Sequence, residues 1–164
     1  MLKTNRSIRF AAWVLLTVGA TAPATPAVAG SRSCTVTFAV DVTEEMGTID
    51  FVVDYSQVQG TFSQINADPI CTALVKGARF FGKPTCDGTY ENCQWGTDRR
   101  LSVDLMFSAP VTGPVDLLTC SFSSDQEPAA DGFAIGGATA SDFQTGSGLK
   151  TFPPRVFVRA IDCQ

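Results

Sequence analysis

Apolar and polar residues alternate along most of the chain after residue 33. In "CTVTFAVDV", Val36, Phe38, Val40 and Val42 alternate with Thr35, Thr37, Ala39 and Asp41. "TIDFVVDY" repeats the pattern, with Ile49, Phe51, Val53 and Tyr55 set against Thr48, Asp50, Val52 and Asp54. A period of two sends one set of side chains to one face of a strand, so both runs predict half-buried strands. "RLSVDLMF" does the same through Leu101, Val103, Leu105 and Phe107, and "VDLLTCSF", "GFAIGGATA" and "RVFVRAI" follow, with "CTALVKGARFF" turning to strand at its end. Turn formers separate these runs: "ADP", "GKPTCDG", "APVTGP", "DQEPAADG", "QTGSG" and "FPP". No stretch of the mature region carries the 3.6-residue period of an amphipathic helix for longer than a turn or two.

Seven to nine short strands in one small domain predict an all-β protein, a single immunoglobulin-like or jelly-roll β-sandwich. Pro153 and Pro154 fit the entrance to the last strand, because proline donates no ladder hydrogen bond. The polar stretch 141–150 is expected to be a loop. No internal repeat or linker divides the chain.

The acids of the first two runs pose a chemical question. Residues 41–56, "DVTEEMGTIDFVVDYS", hold Asp41, Glu44, Glu45, Asp50 and Asp54. A hairpin turning at Glu45–Met46 would pair Val42 with Ile49, Val40 with Phe51 and Phe38 with Val53. The same register sets Asp41 opposite Asp50 on the outer face, where Cβ atoms of opposed residues stand about 5 Å apart and like charges repel. Asp54 lies roughly 13 Å along the strand from Asp50. Only Asp41 and Asp50 would then meet the spacing of paired glycosidase carboxylates. A neighbouring arginine or a bound cation such as Ca²⁺ would relieve the pair. Calcium takes many oxygen ligands and a flat strand face supplies few, so a solvated, salt-bridged face is the simpler expectation.

The first residues read as an export address. Lys3, Arg6 and Arg9 precede the eleven-residue apolar run "FAAWVLLTVGA", and "AVA" at 27–29 offers small residues for cleavage. The run is well short of the ~20 residues a membrane-spanning helix needs. Residues 1–29 are therefore expected to be a cleaved signal peptide and residues 30–164 the mature domain, secreted or periplasmic and not membrane-spanning. Removing three basic residues takes the formal charge from −4 to −7. An acidic surface argues against nucleic acid as a partner.

Six cysteines, 34, 71, 86, 93, 120 and 163, all lie after the expected cut, and an even count in an exported chain reads as three disulfides. There is no histidine and no C-x-x-C pair to suggest zinc. Cys86 and Cys93 bracket the short, turn-rich "CDGTYENC" and pair most naturally with each other. Cys71 is assigned to Cys120, and Cys34 to Cys163 near the two ends of the mature domain.

The run "VTFAVDVTEEMGTIDFVVDYS" resembles the opening two strands of cohesin-like domains, which share a β-sandwich superfamily with certain carbohydrate-binding modules. "LLTCSF" followed by "DGFAIGGATASDFQTGSG" is similar to that group's final strands and the loop between them. The resemblance spans most of residues 34–163. It implies a sandwich used for binding, with the last strand beside the first, so that Arg155 and Arg159 would neighbour the acids. The cysteine framework is a departure, since cellulosomal cohesins generally lack one.

Absence of histidine excludes both a Ser-His-Asp triad and a Cys-His pair, and no serine sits in G-x-S-x-G. The most promising ligand-binding feature is the stapled segment and its flank, "CDGTYENCQWGTDRR". Tyr90 and Trp95 offer flat faces of the kind that stack on sugar rings or anchor protein contacts, while Asp87 and Glu91 add hydrogen-bonding capacity. Trp95, the one tryptophan of the mature region, is better suited to core or half-buried packing, as large aromatics usually are, and Tyr90 to either role. The pair Arg99–Arg100 reads as a solvated strand entrance. The expectation is a non-catalytic binding or adhesion module for an extracellular protein or polysaccharide, with no cofactor unless calcium. A small carboxylate-dependent hydrolase and a structural envelope or matrix protein are the alternatives.

Overall fold

A computed structural model describes residues 31–65, 68–84, 99–143 and 150–164. Strand β1 (Arg32–Asp41), β9 (Val115–Ser124) and β12 (Arg155–Cys163) form one antiparallel sheet in the order β12-β1-β9, with the short pieces β3 (Thr61–Phe62) and β6 (Cys71–Ala73) both pairing with β9. The second sheet runs β11-β10-β2-β8-β7, built from β2 (Met46–Asp54), β7 (Arg79–Pro84), β8 (Arg100–Val111), β10 (Ala134–Asp142) and β11 (Thr151–Phe152). A small hairpin of β4 (Gln64–Ile65) and β5 (Asp68–Pro69) stands apart, and a 3-10 turn, Ala130–Gly132, precedes β10. The two antiparallel sheets pack as a sandwich. Among the described residues seven strands are six residues or longer, and five short pieces accompany them.

The alternation identifies the buried faces. Val36, Phe38, Val40 and Val42 from β1 and its end, Ile49, Phe51, Val53 and Tyr55 from β2 and its end, and Leu101, Val103, Leu105 and Phe107 from β8 all lie in the core. At one end the core is aromatic: Phe62 and Phe122 meet edge to face at 5.1 Å, Tyr55 stands at 5.0 Å from Phe62, and Phe133 at 5.3 Å from Phe122. Such tilted and T-shaped contacts match the ring quadrupoles and add to the burial of apolar area.

The expected first hairpin does not exist. β1 pairs with β9 and β12, whereas β2 pairs with β8 and β10. The chain crosses from one sheet to the other between Asp41 and Met46, so β1 and β2 face each other through the core, with the Phe38 and Phe51 rings 6.0 Å apart. Period two specifies which side chains point inward, and it does so equally for hydrogen-bonded neighbours and for strands facing one another across a sandwich. Asp41 and Asp50 therefore lie on opposite outer surfaces, and the carboxylate pair that a hydrolase reading relied on is not formed.

Two cross-strand disulfides hold the first sheet. Cys34 stands opposite Cys163 and Cys71 opposite Cys120 in their ladders, and each pair is bonded. Cys86 and Cys93 lie outside the described residues. β12 enters directly after Pro153 and Pro154 and runs beside β1, which brings Arg155 opposite Asp41. "CTALVKGARFF" is strand at both ends, as β6 and β7, with Val75–Ala78 a turn closed by the Ala78 N–H donating to the Val75 carbonyl. Disulfides persist in oxidising compartments, and the two among the described residues point to one. No helix of the described residues is long and apolar enough to cross a membrane.

Candidate functional site

The outer face of the second sheet is where charge and exposed apolar surface meet. One row crosses it from β7 to β10 as Phe81, Asp104, Asp50 and Thr139, each opposite the next in register. The neighbouring row reads Arg79, Met106, Thr48 and Ser141, and the row on the other side Lys83, Ser102, Val52 and Gly136. Phe81 is 49% and Met106 53% exposed, large values for apolar side chains in a regular sheet. A side chain added at Gly136 or Gly137 would meet nothing within 4 Å, so the β10 side of the face is open. Thr48 and Ser141 close their row with a hydroxyl–hydroxyl hydrogen bond of 2.5 Å.

Two aspartates of β2 sit in opposite electrostatic settings. Partial burial and then the charge of Asp104 hold the Asp50 carboxyl above the usual carboxylate range. Asp54 is held below it by the Ser56 hydroxyl first, then by the Ser56 backbone N–H, which donates to Oδ1 at 2.9 Å, and by Arg100, whose Nε donates to Oδ2 at 3.2 Å. Asp41 on the other sheet has Arg155 opposite it, and Arg159 pairs with Asp116 at 3.3 Å. Of the acids first gathered by the sequence, Asp50 alone faces a second carboxylate across the ladder. Among the described residues no group of three or more acidic or cysteine side chains is arranged to hold a metal ion.

The proposed binding residues Asp87, Tyr90, Glu91 and Trp95 lie outside the described residues. Their flank corrects another expectation. Arg99 is not a solvated residue at a strand entrance: its guanidinium donates to the carbonyls of Tyr55, Val58 and Gly60 and rests 5.2 Å from the Tyr55 ring centre. It adopts a positive φ of 48° to do so, and its own carbonyl accepts from the Tyr55 N–H at 2.9 Å. Gly60, at φ 126°, completes this loop in a conformation side chains rarely take, with no room for a Cβ against the Ser123 carbonyl and the Phe122 ring.

The described surface also carries two concavities. One, of about 490 Å³, lies between the β2–β3 loop and the segment after β9. The other, of about 320 Å³, is lined by Glu44, Glu45, Asp142, Phe143, Lys150 and Phe152. Sequence reasoning found Asp50 but missed Phe81, Asp104 and Met106. The outward positions of "RLSVDLMF" were visible as Ser102, Asp104 and Met106, yet nothing in the pattern said that β8 would be the neighbour of β2.

Comparison with protein-family models, with curated proteins and with solved structures finds no match to this chain.

Proposed function

We propose that this protein is a non-catalytic binding module acting outside the cytoplasm, and that it recognises an extracellular protein through the outer face of the β10-β2-β8-β7 sheet. The observation that carries the reading is the Asp50–Asp104 pair at the centre of that face, bordered by exposed Phe81 and Met106. Two carboxylates in direct opposition are unfavourable to folding and favourable to any ligand that brings positive charge between them. An exposed aromatic and a methionine beside them supply the apolar contact that anchors protein interfaces. The partner that fits is a protein presenting a lysine or arginine within an apolar surround. The likeness to cohesin-like domains, drawn from the strand pattern, points the same way.

The test is capture of extracellular proteins on the immobilised chain, comparing the native protein with an Asp50→Asn, Asp104→Asn double variant. A specific protein should be retained by the native chain, released by salt, and lost from the double variant, while Asp41→Asn on the opposite sheet leaves capture intact. Equal capture by native and doubly substituted chains would remove this face from consideration. Concentration-dependent self-association without any ligand would favour the structural alternative.

A further inference from the structure

The larger concavity carries a separate inference. Gln57 and Gln59 from the β2–β3 loop, and Gln126, Glu127, Pro128 and Asp131 from the segment after β9, line a cavity of about 490 Å³. That volume falls within the range of small-molecule sites, roughly 300–1,000 Å³.

The cavity is built rather than incidental, because its two walls are tied together. The buried Ser124 hydroxyl donates to the Gln59 carbonyl at 2.5 Å and accepts the Gln126 N–H at 3.3 Å, joining one wall to the other. Arg99 fixes the β2–β3 loop from beneath through the carbonyls of Tyr55, Val58 and Gly60. Gly132 packs so closely on Val58 that an added Cβ would stand 2.5 Å from the Val58 Cγ2 atom. Loops held this way lose little freedom when a ligand enters, which lowers the cost of binding.

The lining selects the ligand. Three carboxamides each present a donor group and an acceptor, which is the complement of a hydroxyl, itself both donor and acceptor. Glu127 and Asp131 add acceptors, and the exposed Ala129 methyl offers apolar surface above the buried Val58 and Pro128. No lysine or arginine lines the cavity; Arg32 beside it pairs with Glu127 at 3.7 Å, and the Arg99 guanidinium beneath it is taken up by the loop carbonyls. A cation would use only the carboxamide oxygens and leave the three NH₂ groups without partners, whereas hydroxyls use both ends of each carboxamide. We infer that this cavity is a binding site for a neutral saccharide unit, one that presents several hydroxyls and an apolar C–H face. The inference goes beyond the protein-binding face and does not depend on it.

The test is an NMR titration of the full chain, following the side-chain NH₂ signals of Gln57, Gln59 and Gln126. The probes are neutral trisaccharides of glucose, mannose, galactose and N-acetylglucosamine, with the trisaccharide of galacturonic acid as the charged counterpart. At least one neutral trisaccharide should shift these signals at or below about 20 mM. Its affinity should fall about tenfold or more in Gln126→Ala and in Gln57→Ala, both exposed positions whose variants keep the native melting temperature. The uronic acid trisaccharide should bind about tenfold more weakly, and Asp41→Asn, on the sheet opposite the protein-binding face, should bind saccharide as the native chain does. The proposal is overturned if no neutral trisaccharide moves the glutamine signals, if the charged one binds equally well, or if both alanine variants retain native affinity.

Discussion

Asp50 on β2 stands directly opposite Asp104 on β8, at the middle of an otherwise well-paired outer face. The consequence for folding can be signed. Burial and the Asp104 charge raise the Asp50 pKa in the folded chain, so between the ordinary value of 3.8 and the folded value the native state binds more protons than the unfolded state. Stability therefore falls as pH rises through that window, and the penalty persists at neutral pH. Asp50→Asn should stabilise the protein at pH 7 by about 0.5 kcal/mol, a rise in Tm on the order of 2 °C, with the gain vanishing near pH 3. Thermal melts of both proteins across pH 3–8 read this directly. A lower Tm for the variant at pH 7 would show that Asp50 is held by favourable contacts instead.

Arg99 should behave as a structural clasp. Its guanidinium serves three carbonyls of the β2–β3 loop and lies against the Tyr55 ring. Arg99→Ala leaves those carbonyls to find other partners and should destabilise the fold by about 2–3 kcal/mol, measured by urea unfolding. Arg99→Lys should recover less than half of the loss, because an ammonium cannot reproduce a planar fork of donors. Full recovery with lysine would mean that charge, and not geometry, holds the loop.

The comparison of Arg99 with Phe38 shows how far the sequence could be read. Phe38 and its neighbours were legible because burial in a strand repeats every two residues, and that signal is local. Cys34–Cys163 was suggested only by its place near the two ends of the mature domain, and Cys71–Cys120 had no local signal among the fifteen pairings six cysteines allow. The ladders of β1 with β12 and β6 with β9 set the members of each pair opposite one another. Strand neighbours were not legible: the same inward set serves a hairpin and a pair facing across the core, and only the crossing between Asp41 and Met46 distinguishes them. Arg99 was misread for a similar reason. A basic residue at a strand entrance is usually solvated, and the three carbonyls it serves lie about forty residues earlier in the chain. The carboxamide cavity was hidden likewise, since Gln57 and Gln126 meet only through tertiary structure.

Both cross-strand disulfides should contribute strongly to equilibrium stability. The Cys34–Cys163 bridge closes a separation of 129 residues and Cys71–Cys120 one of 49. On chain-entropy grounds the double replacements Cys34→Ala, Cys163→Ala and Cys71→Ala, Cys120→Ala should lower stability by about 5 and about 4 kcal/mol respectively. Peptide mapping without reduction should recover both linked pairs from the native protein. Any other partner for Cys71 or Cys34 would contradict the register in which β6 meets β9 and β1 meets β12.

Asp50 and Asp54, four residues apart on one strand, should titrate on opposite sides of the ordinary aspartate value. Hydrogen bonds from Ser56 and the ion pair with Arg100 stabilise the Asp54 carboxylate and lower its folded pKa, while burial beside Asp104 raises that of Asp50. The Asp54 contribution is present above the unfolded value of 3.8 and is lost as pH falls through the folded one, so it weakens the protein only in acid. Carbon-detected NMR of the two side-chain carboxyls against pH should give a lower midpoint for Asp54 than for Asp50. Ser56→Ala and Arg100→Gln should each move the Asp54 midpoint upward, because the serine hydroxyl and the arginine both stabilise its carboxylate. Coincident midpoints would mean that the Asp50–Asp104 opposition is relieved in solution, and with it the charge that the proposed partner is expected to neutralise.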